Sequence, residues 1–286
     1  MATMEAYVAV RAHGLKSRLL KRPDYEALAR GEREVYEYKD YSSIAARDPL
    51  EVKVEKVHRV YVSRISLLAE SAPELSEYLW ALADKLEFEN LKLQLRRVLG
   101  GGGRPILYPY GRHVGPVRLS EATEEKELWE LALSSGLLER VPKREWGSLA
   151  EREAFVDFAY VKHLASAVQR VPASGESRRA LLEAAAELCS LVAASWSRHL
   201  SPEAVASVAR AAGLEVKRPP RGGSPEERLL RLARRLELRY PASLPYAFAF
   251  DVYATAEARN VERVIVGRSL GMGSSEILAS LLLTSP

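Results

Sequence analysis

Near its C-terminal end the chain runs YAFAFDVYATAEARNVERVIVGRSL from Tyr246 to Leu270, 25 residues with no proline and no glycine before Gly267. Nothing in that run interrupts a helix, so it predicts one α-helix of about six or seven turns. Inside it Glu257-x-x-Asn260 lies one turn apart, and Arg268 follows further along. At roughly 100° per residue the three polar groups fall on one side of the helix. The same arrangement occurs twice more, as Glu87-x-x-Asn90 with Arg97 and as Glu187-x-x-Ser190 with Arg198. Three long helices ending alike predict a chain built from three related units.

Taken in order, periodicity and punctuation predict helices over Tyr7–Leu20, Tyr25–Ala29, Leu50–Ala72 and from Pro73-Glu74 to about Leu99, where Gly100–Gly103 stops the last of them. RPILYPYGRHVGPVRL follows, with the Pro/Gly content of a boundary loop. Further helices are expected over Glu121–Leu133, Leu149–Val171, Ser177–His199 and Ser201–Ala212. Lys217–Ser224 (KRPPRGGS) reads as a linker, and helices to Leu238, over Tyr246–Leu270 and over Ile277–Leu283 complete the chain. No β-hairpin signal stands out. The expectation is an all-α protein of three helical bundles, over residues 1–112, 113–216 and 217–286.

Composition agrees with a folded, helical chain: 286 residues are enough for two or three packed units, and 47% are apolar. A net charge of +4, from 42 basic against 38 acidic residues, describes a mostly solvated surface and does not make a nucleic-acid binder. The opening MATMEAYVAV lacks the basic-then-apolar run of a signal peptide, and no stretch approaches the apolar length of a membrane span. The expectation is a soluble, intracellular protein with no direct membrane span.

Chemistry-bearing motifs are sparse. A single cysteine, Cys189, excludes an intrachain disulfide and reads as a small buried apolar residue. Gly100–Gly103 lacks the Lys-Ser/Thr of a phosphate loop. The five histidines are scattered without metal-ligand spacing, so no metal, cofactor or catalytic residue is expected. Arg228, Arg231, Arg234, Arg235 and Arg239 put a basic face on one helix, but the interspersed acids favour a solvated or protein-docking surface. The repeated Glu-x-x-Asn/Ser sites read as structural, since a buried acid must be paired and Asn or Arg on the same side can satisfy it.

Three stretches carry a resemblance: AYVAVRAHGLKSRLL at the start, LEFENLKLQLRRVLGG around Asn90 and AEARNVERVIVGRSLG around Asn260. In that order they resemble the central-stalk C subunit of the archaeal-type rotary ATPase, whose eukaryotic relative is the d subunit of the vacuolar proton pump. The middle unit departs, with Ser190 in place of an Asn and Trp196 in place of a basic residue. The resemblance implies a funnel of three similar helical bundles about a pseudo-threefold axis, with no catalysis of its own. It implies a seat on the cytoplasmic face of the membrane proteolipid (c/K) ring, and a socket for the D–F rotor shaft. Arg96, Arg97, Arg104, Arg112 and Arg268 are then expected to help line a docking surface. The competing expectation is a helical-repeat adaptor or nucleic-acid-binding protein using the Arg228–Arg239 face.

Overall fold

The computed structural model describes residues 2–103, 105–143, 145–216 and 224–282. Among them all regular structure is helical, as twelve α-helices and a few short 3-10 turns, so the protein is all-α. No helix there is long and apolar enough to cross a membrane. Of the expected linker, Lys217 to Gly223 lie outside the described residues, as does Arg104.

The packing divides the chain into two compact units, residues 73–229 and residues 2–72 with 230–286. These limits do not coincide with 112/113 and 216/217. The first and last stretches of the chain build one unit together, and the Pro/Gly-rich segment around residue 112 lies inside the other.

In the continuous unit, α4 (Ser76–Gly100), α5 (Pro116–Glu121), α6 (Glu125–Ser134), α7 (Leu149–Arg170), α8 (Gly175–Trp196) and α9 (Pro202–Ala211) follow one another. Helix α7 is the hub, packed on α4, α8 and α9, while α5 and α6 pack on α4. Each of its neighbours contributes to one apolar core, in which Phe88, Leu91, Leu128, Phe155, Phe158, Val161, Cys189 and Val208 are buried. Three helix starts are set by serine caps: Ser148, Ser174 and Ser201 accept from the backbone N–H three residues on, each at 3.2 Å. Cys189 is the apolar core residue expected, and burial pushes its thiol up to about 11.

The other unit comprises α1 (Ala2–Lys16), α2 (Arg22–Arg30), α3 (Leu50–Ser71), most of α10 (Pro225–Arg239), α11 (Pro245–Ser269) and α12 (Ser274–Ser280). Its hub is the long helix α11, which packs on α1, α2, α3 and α12. Tyr246, Phe250, Val261 and Val264 of α11 are buried with Val8, Leu28, Tyr61 and Ile65. Helix α1 starts earlier than expected and ends four residues short of Leu20, whose freed N–H donates to Glu257 at 3.1 Å.

At Gly267 the side chain of Ile277 from α12 lies close against the backbone of α11. A Cβ there would stand 2.8 Å from Cγ1 of Ile277, a side chain that is itself buried. Gly267→Ala therefore loses stability although alanine gains about 1 kcal/mol of helix propensity. The expected net loss in urea unfolding is about 1–2 kcal/mol, and Ile277→Ala costs less in that variant than in the native chain.

Candidate functional site

Helix α4 carries a buried polar stripe. Asp84, Glu87, Asn90, Gln94 and Arg97 follow at spacings of three, three, four and three, which keeps them on one face. All but Arg97 are fully buried. Polar groups so placed need partners, and the irregular stretch from Tyr108 to Gly115 together with the following helix α5 provides them. The Asn90 carboxamide donates to the Tyr108 carbonyl at 3.0 Å and accepts from the Tyr108 N–H at 2.7 Å, as a second backbone strand would. The Glu87 carboxylate accepts four consecutive backbone N–H groups, those of Arg112, His113, Val114 and Gly115, at 2.8 to 3.1 Å. Four convergent donors form a nest of the kind that holds anions. Gln94 and Arg97 donate to the carbonyls of Leu119 and Ser120. The curl is tight enough that a Cβ on Gly111 would lie 2.2 Å from the Gly115 Cα. Pro and Gly there mark irregular backbone held firmly in one unit, and no boundary between units falls at it.

Helix α11 repeats the amide clamp: Asn260 donates to the Leu282 carbonyl at 3.0 Å and accepts from its N–H at 2.8 Å. The acid one turn earlier is answered differently. Glu257 takes the Leu20 N–H and a buried ion pair with Arg64, which also holds Asp40 at 2.9 Å, and Asp40 in turn pairs with Arg18. Burial disfavours the Arg64 cation, but Glu257 and Asp40 more than offset this and keep it charged.

The third motif does not form such a site. Ser190 donates back to the Ala186 carbonyl of its own helix at 3.2 Å, Glu187 is half-buried, and Arg198 is exposed in a turn beyond the end of α8 at Trp196. A hydroxyl lacks the paired donor and acceptor of a carboxamide and turns instead to the carbonyl one turn back. Trp196 has its own role: its indole N–H donates to Asp157 at 2.8 Å, and the buried Lys92 holds the other oxygen of Asp157 at 2.7 Å. This ties α8, α7 and α4 together.

The arginines expected at a docking surface all have internal partners among the described residues. Arg96 grips Glu153 through two 2.6 Å bonds, Arg97 holds the Ser120 carbonyl, Arg112 pairs with Asp84, and Arg268 pairs with Glu34 at 2.7 Å. Three belong to the continuous unit and Arg268 to the other.

Sequence reasoning missed a polar cluster around Asp84. His163 of α7 donates to Asp84 Oδ2 at 2.7 Å, Tyr110 donates to Oδ1 at 2.7 Å, and Arg112 reaches both oxygens. His113 completes it, with Nε2 at 3.4 Å from Oδ2 and Nδ1 at 3.3 Å from the Ser135 carbonyl. The helical spacing of Asp84 from Glu87 is its one signal in the sequence. Two imidazoles and a carboxylate within 4.8 Å form a donor set that transition metals accept. Here, however, the Arg112 guanidinium already balances the carboxylate and lies 3.3 Å from His113 Nε2, so the residues fit a hydrogen-bonded ion network better than a metal. Burial pushes the Asp84 carboxyl up, but bonds from His113, His163 and Arg112 outweigh it and hold it well below the usual range. The bond to Asp84 pushes His113 up, against its partial burial.

Compared with protein-family models and with curated proteins, the sequence matches none.

Removing either amide clamp strands a backbone N–H and C=O. Asn90→Leu and Asn260→Leu are each expected to lose about 2–4 kcal/mol, whereas Ser190→Ala stays within about 0.5 kcal/mol, all read from urea unfolding. A pH series tests the Asp84 cluster. The raised His113 value contributes stability that is full below about pH 6.5 and is lost as pH rises through the folded value. The depressed Asp84 value contributes stability above about pH 4, lost only on deep acidification. The urea midpoint therefore declines from about pH 6.5 towards pH 9, and His113→Gln flattens that decline.

Proposed function

We propose that the chain is a non-catalytic central-stalk subunit of an archaeal/vacuolar-type rotary ATP synthase, a socket that links the D–F rotor shaft to the membrane proteolipid ring. The observation that carries this reading is the amide clamp shared by Asn90 and Asn260. It occurs at the two motifs on which the resemblance rests, and gives them one physical role in two long helices. In this reading the bundles around α4, α8 and α11 are related modules set about a pseudo-threefold axis on the cytoplasmic side of the membrane. The α8 module has lost its clamp and relies on Trp196.

A torque coupler must transmit load without yielding. Long helices on close-packed cores deform little, and loops tied back to them by buried bonds add no slack. The reading needs no nucleophile, metal or cofactor. Ion-driven rotation of the ring would pass through this body to the shaft, and ATP would be made or hydrolysed elsewhere in the complex. Polar rims on the two partners would set register. Arg96 is suited to that role, since half of its side chain is exposed while Glu153 holds its head group. Arg97 and Arg112 serve first as internal ties.

One observation favours a second reading. Helix α10 exposes Arg231, Arg234, Arg235 and Arg239 while burying Leu232, Ala233 and Leu236, a basic face compatible with a nucleic-acid or protein adaptor.

Co-purification separates the two. Mixed with detergent-solubilised proteolipid ring, with and without the D–F shaft, the chain is expected to bind at one copy per ring and to be required for the shaft to join. Absence of binding to either partner at low and moderate salt overturns the proposal. Steep salt-dependent retention on a phosphate polymer would then favour the basic helix.

A further inference from the structure

In the continuous unit the Asp84 cluster borders a cleft of about 330 Å³. His163 belongs to both, since it is bonded to Asp84 and also lines the cleft. Its ring is fixed from three sides: Asp84 holds Nε2, and the rings of Phe88 and His113 lie with centroids 5.6 Å away. The Asp84 carboxylate engages Nε2, which leaves Nδ1 as the nitrogen open to a ligand. No described residue hydrogen-bonds to Nδ1. A histidine oriented by a buried carboxylate, with its second nitrogen unengaged and its ring lining a cleft, is a pre-organised hydrogen-bonding group.

The remainder of the lining suits an anion with an apolar body. Leu137, Phe155 and Ala159 form an apolar wall. The neighbouring charges are Glu139, Arg140 and Lys162. Glu139 accepts from the Ser166 hydroxyl at 3.0 Å, and Arg140 donates to the Arg210 carbonyl at 3.3 Å, at the C-terminal end of α9, where a cation is favoured. Lys162, half-buried at the cleft, has no partner among the described residues. A half-buried ammonium beside an apolar wall, with an unengaged imidazole nitrogen held in place nearby, has the composition of a small-molecule site.

We propose that this cleft binds a small soluble organic anion, a phosphate monoester or carboxylate with a short apolar body. Lys162 pairs with the anionic group, the Leu137–Phe155–Ala159 wall covers the body, and His163 Nδ1 hydrogen-bonds to the ligand or to its bound water. At about 30 Å³ for each water-sized group the volume accommodates about eleven non-hydrogen atoms. That is the size of hexyl phosphate. The site does not rest on the rotary-coupler reading.

Hexyl phosphate is the probe, titrated into the full-length protein by calorimetry and followed through the His163 imidazole signals in nitrogen-15 spectra. Saturable binding is expected, with the His163 signals moving while those of His58 and His199 stay. Hexanol and inorganic phosphate should each bind far more weakly. Lys162→Gln should weaken hexyl phosphate about tenfold, the loss of one charge-assisted bond, whereas Lys126→Gln, on an exposed helix face, leaves it unchanged. Absence of saturable binding, affinity indifferent to Lys162→Gln, or unmoved His163 signals each overturns the proposal. Binding to vesicles of phosphatidic acid in phosphatidylcholine without binding of soluble hexyl phosphate overturns it as well, because a lipid headgroup is then the ligand.

Discussion

A carboxamide buried on the side of a helix presents one donor and one acceptor in nearly the geometry of a peptide group, and a passing stretch of backbone can satisfy both. Asn90 does this for Tyr108, and much of the continuous unit's order follows from it. Once Tyr108 is held, the chain beyond it curls so that four N–H groups meet Glu87, and Tyr110, Arg112 and His113 arrive at Asp84. His163 reaches the same carboxylate from α7 and closes the network onto the hub helix. Such a network is stabilising only when complete, because in a low-dielectric interior each unpaired member carries its full desolvation cost. A loop without regular structure is thereby as firmly specified as a helix.

The discontinuous unit meets the same constraint with a different balance of forces. Its amide clamp is identical, but Glu257 is answered by a guanidinium, and the charges run on through Arg64, Asp40 and Arg18. Buried ion pairs of this kind contribute little net stability over an apolar core, since desolvation offsets much of the attraction. Breaking one is expensive, however, which discourages alternative packings of α3 against α11. Both solutions give bodies whose polar interiors resist being shifted by a fraction of an ångström. That property suits a part that carries mechanical load.

The α8 region shows what happens when the residue at the clamp position changes. Serine at position 190 satisfies itself within its own helix, so no loop is captured, and α8 is secured instead by Trp196 and the buried Lys92–Asp157 pair. Sequence similarity between the three motifs at the level of polar residues one turn apart thus conceals a difference in chemistry. The carboxamide offers a donor and an acceptor on separate atoms, matched to one peptide group, whereas the hydroxyl carries both on a single oxygen. For the same reason the Pro/Gly content is a true sign of irregular backbone over residues 105–115 and a poor guide to where packing divides.

What the sequence determined by itself was local. The helices of α4, α7 and α11, the serine caps of α7, α8 and α9, the helical class of the chain and the burial of Cys189 all depend on interactions within a turn or two, or on the apolar character of single residues. The stripe of Asp84, Glu87, Asn90, Gln94 and Arg97 is present as a helical spacing, though only its Glu87, Asn90 and Arg97 stand out in the sequence. Only tertiary structure decided which segments answer that stripe, that residues 2–72 and 230–286 share one unit, and that Asp84, His113 and His163 meet beside a cleft. These depend on loops closing over tens to hundreds of residues. Such closures are selected by the burial and pairing of polar groups across the whole fold, and they leave no periodic trace along the chain.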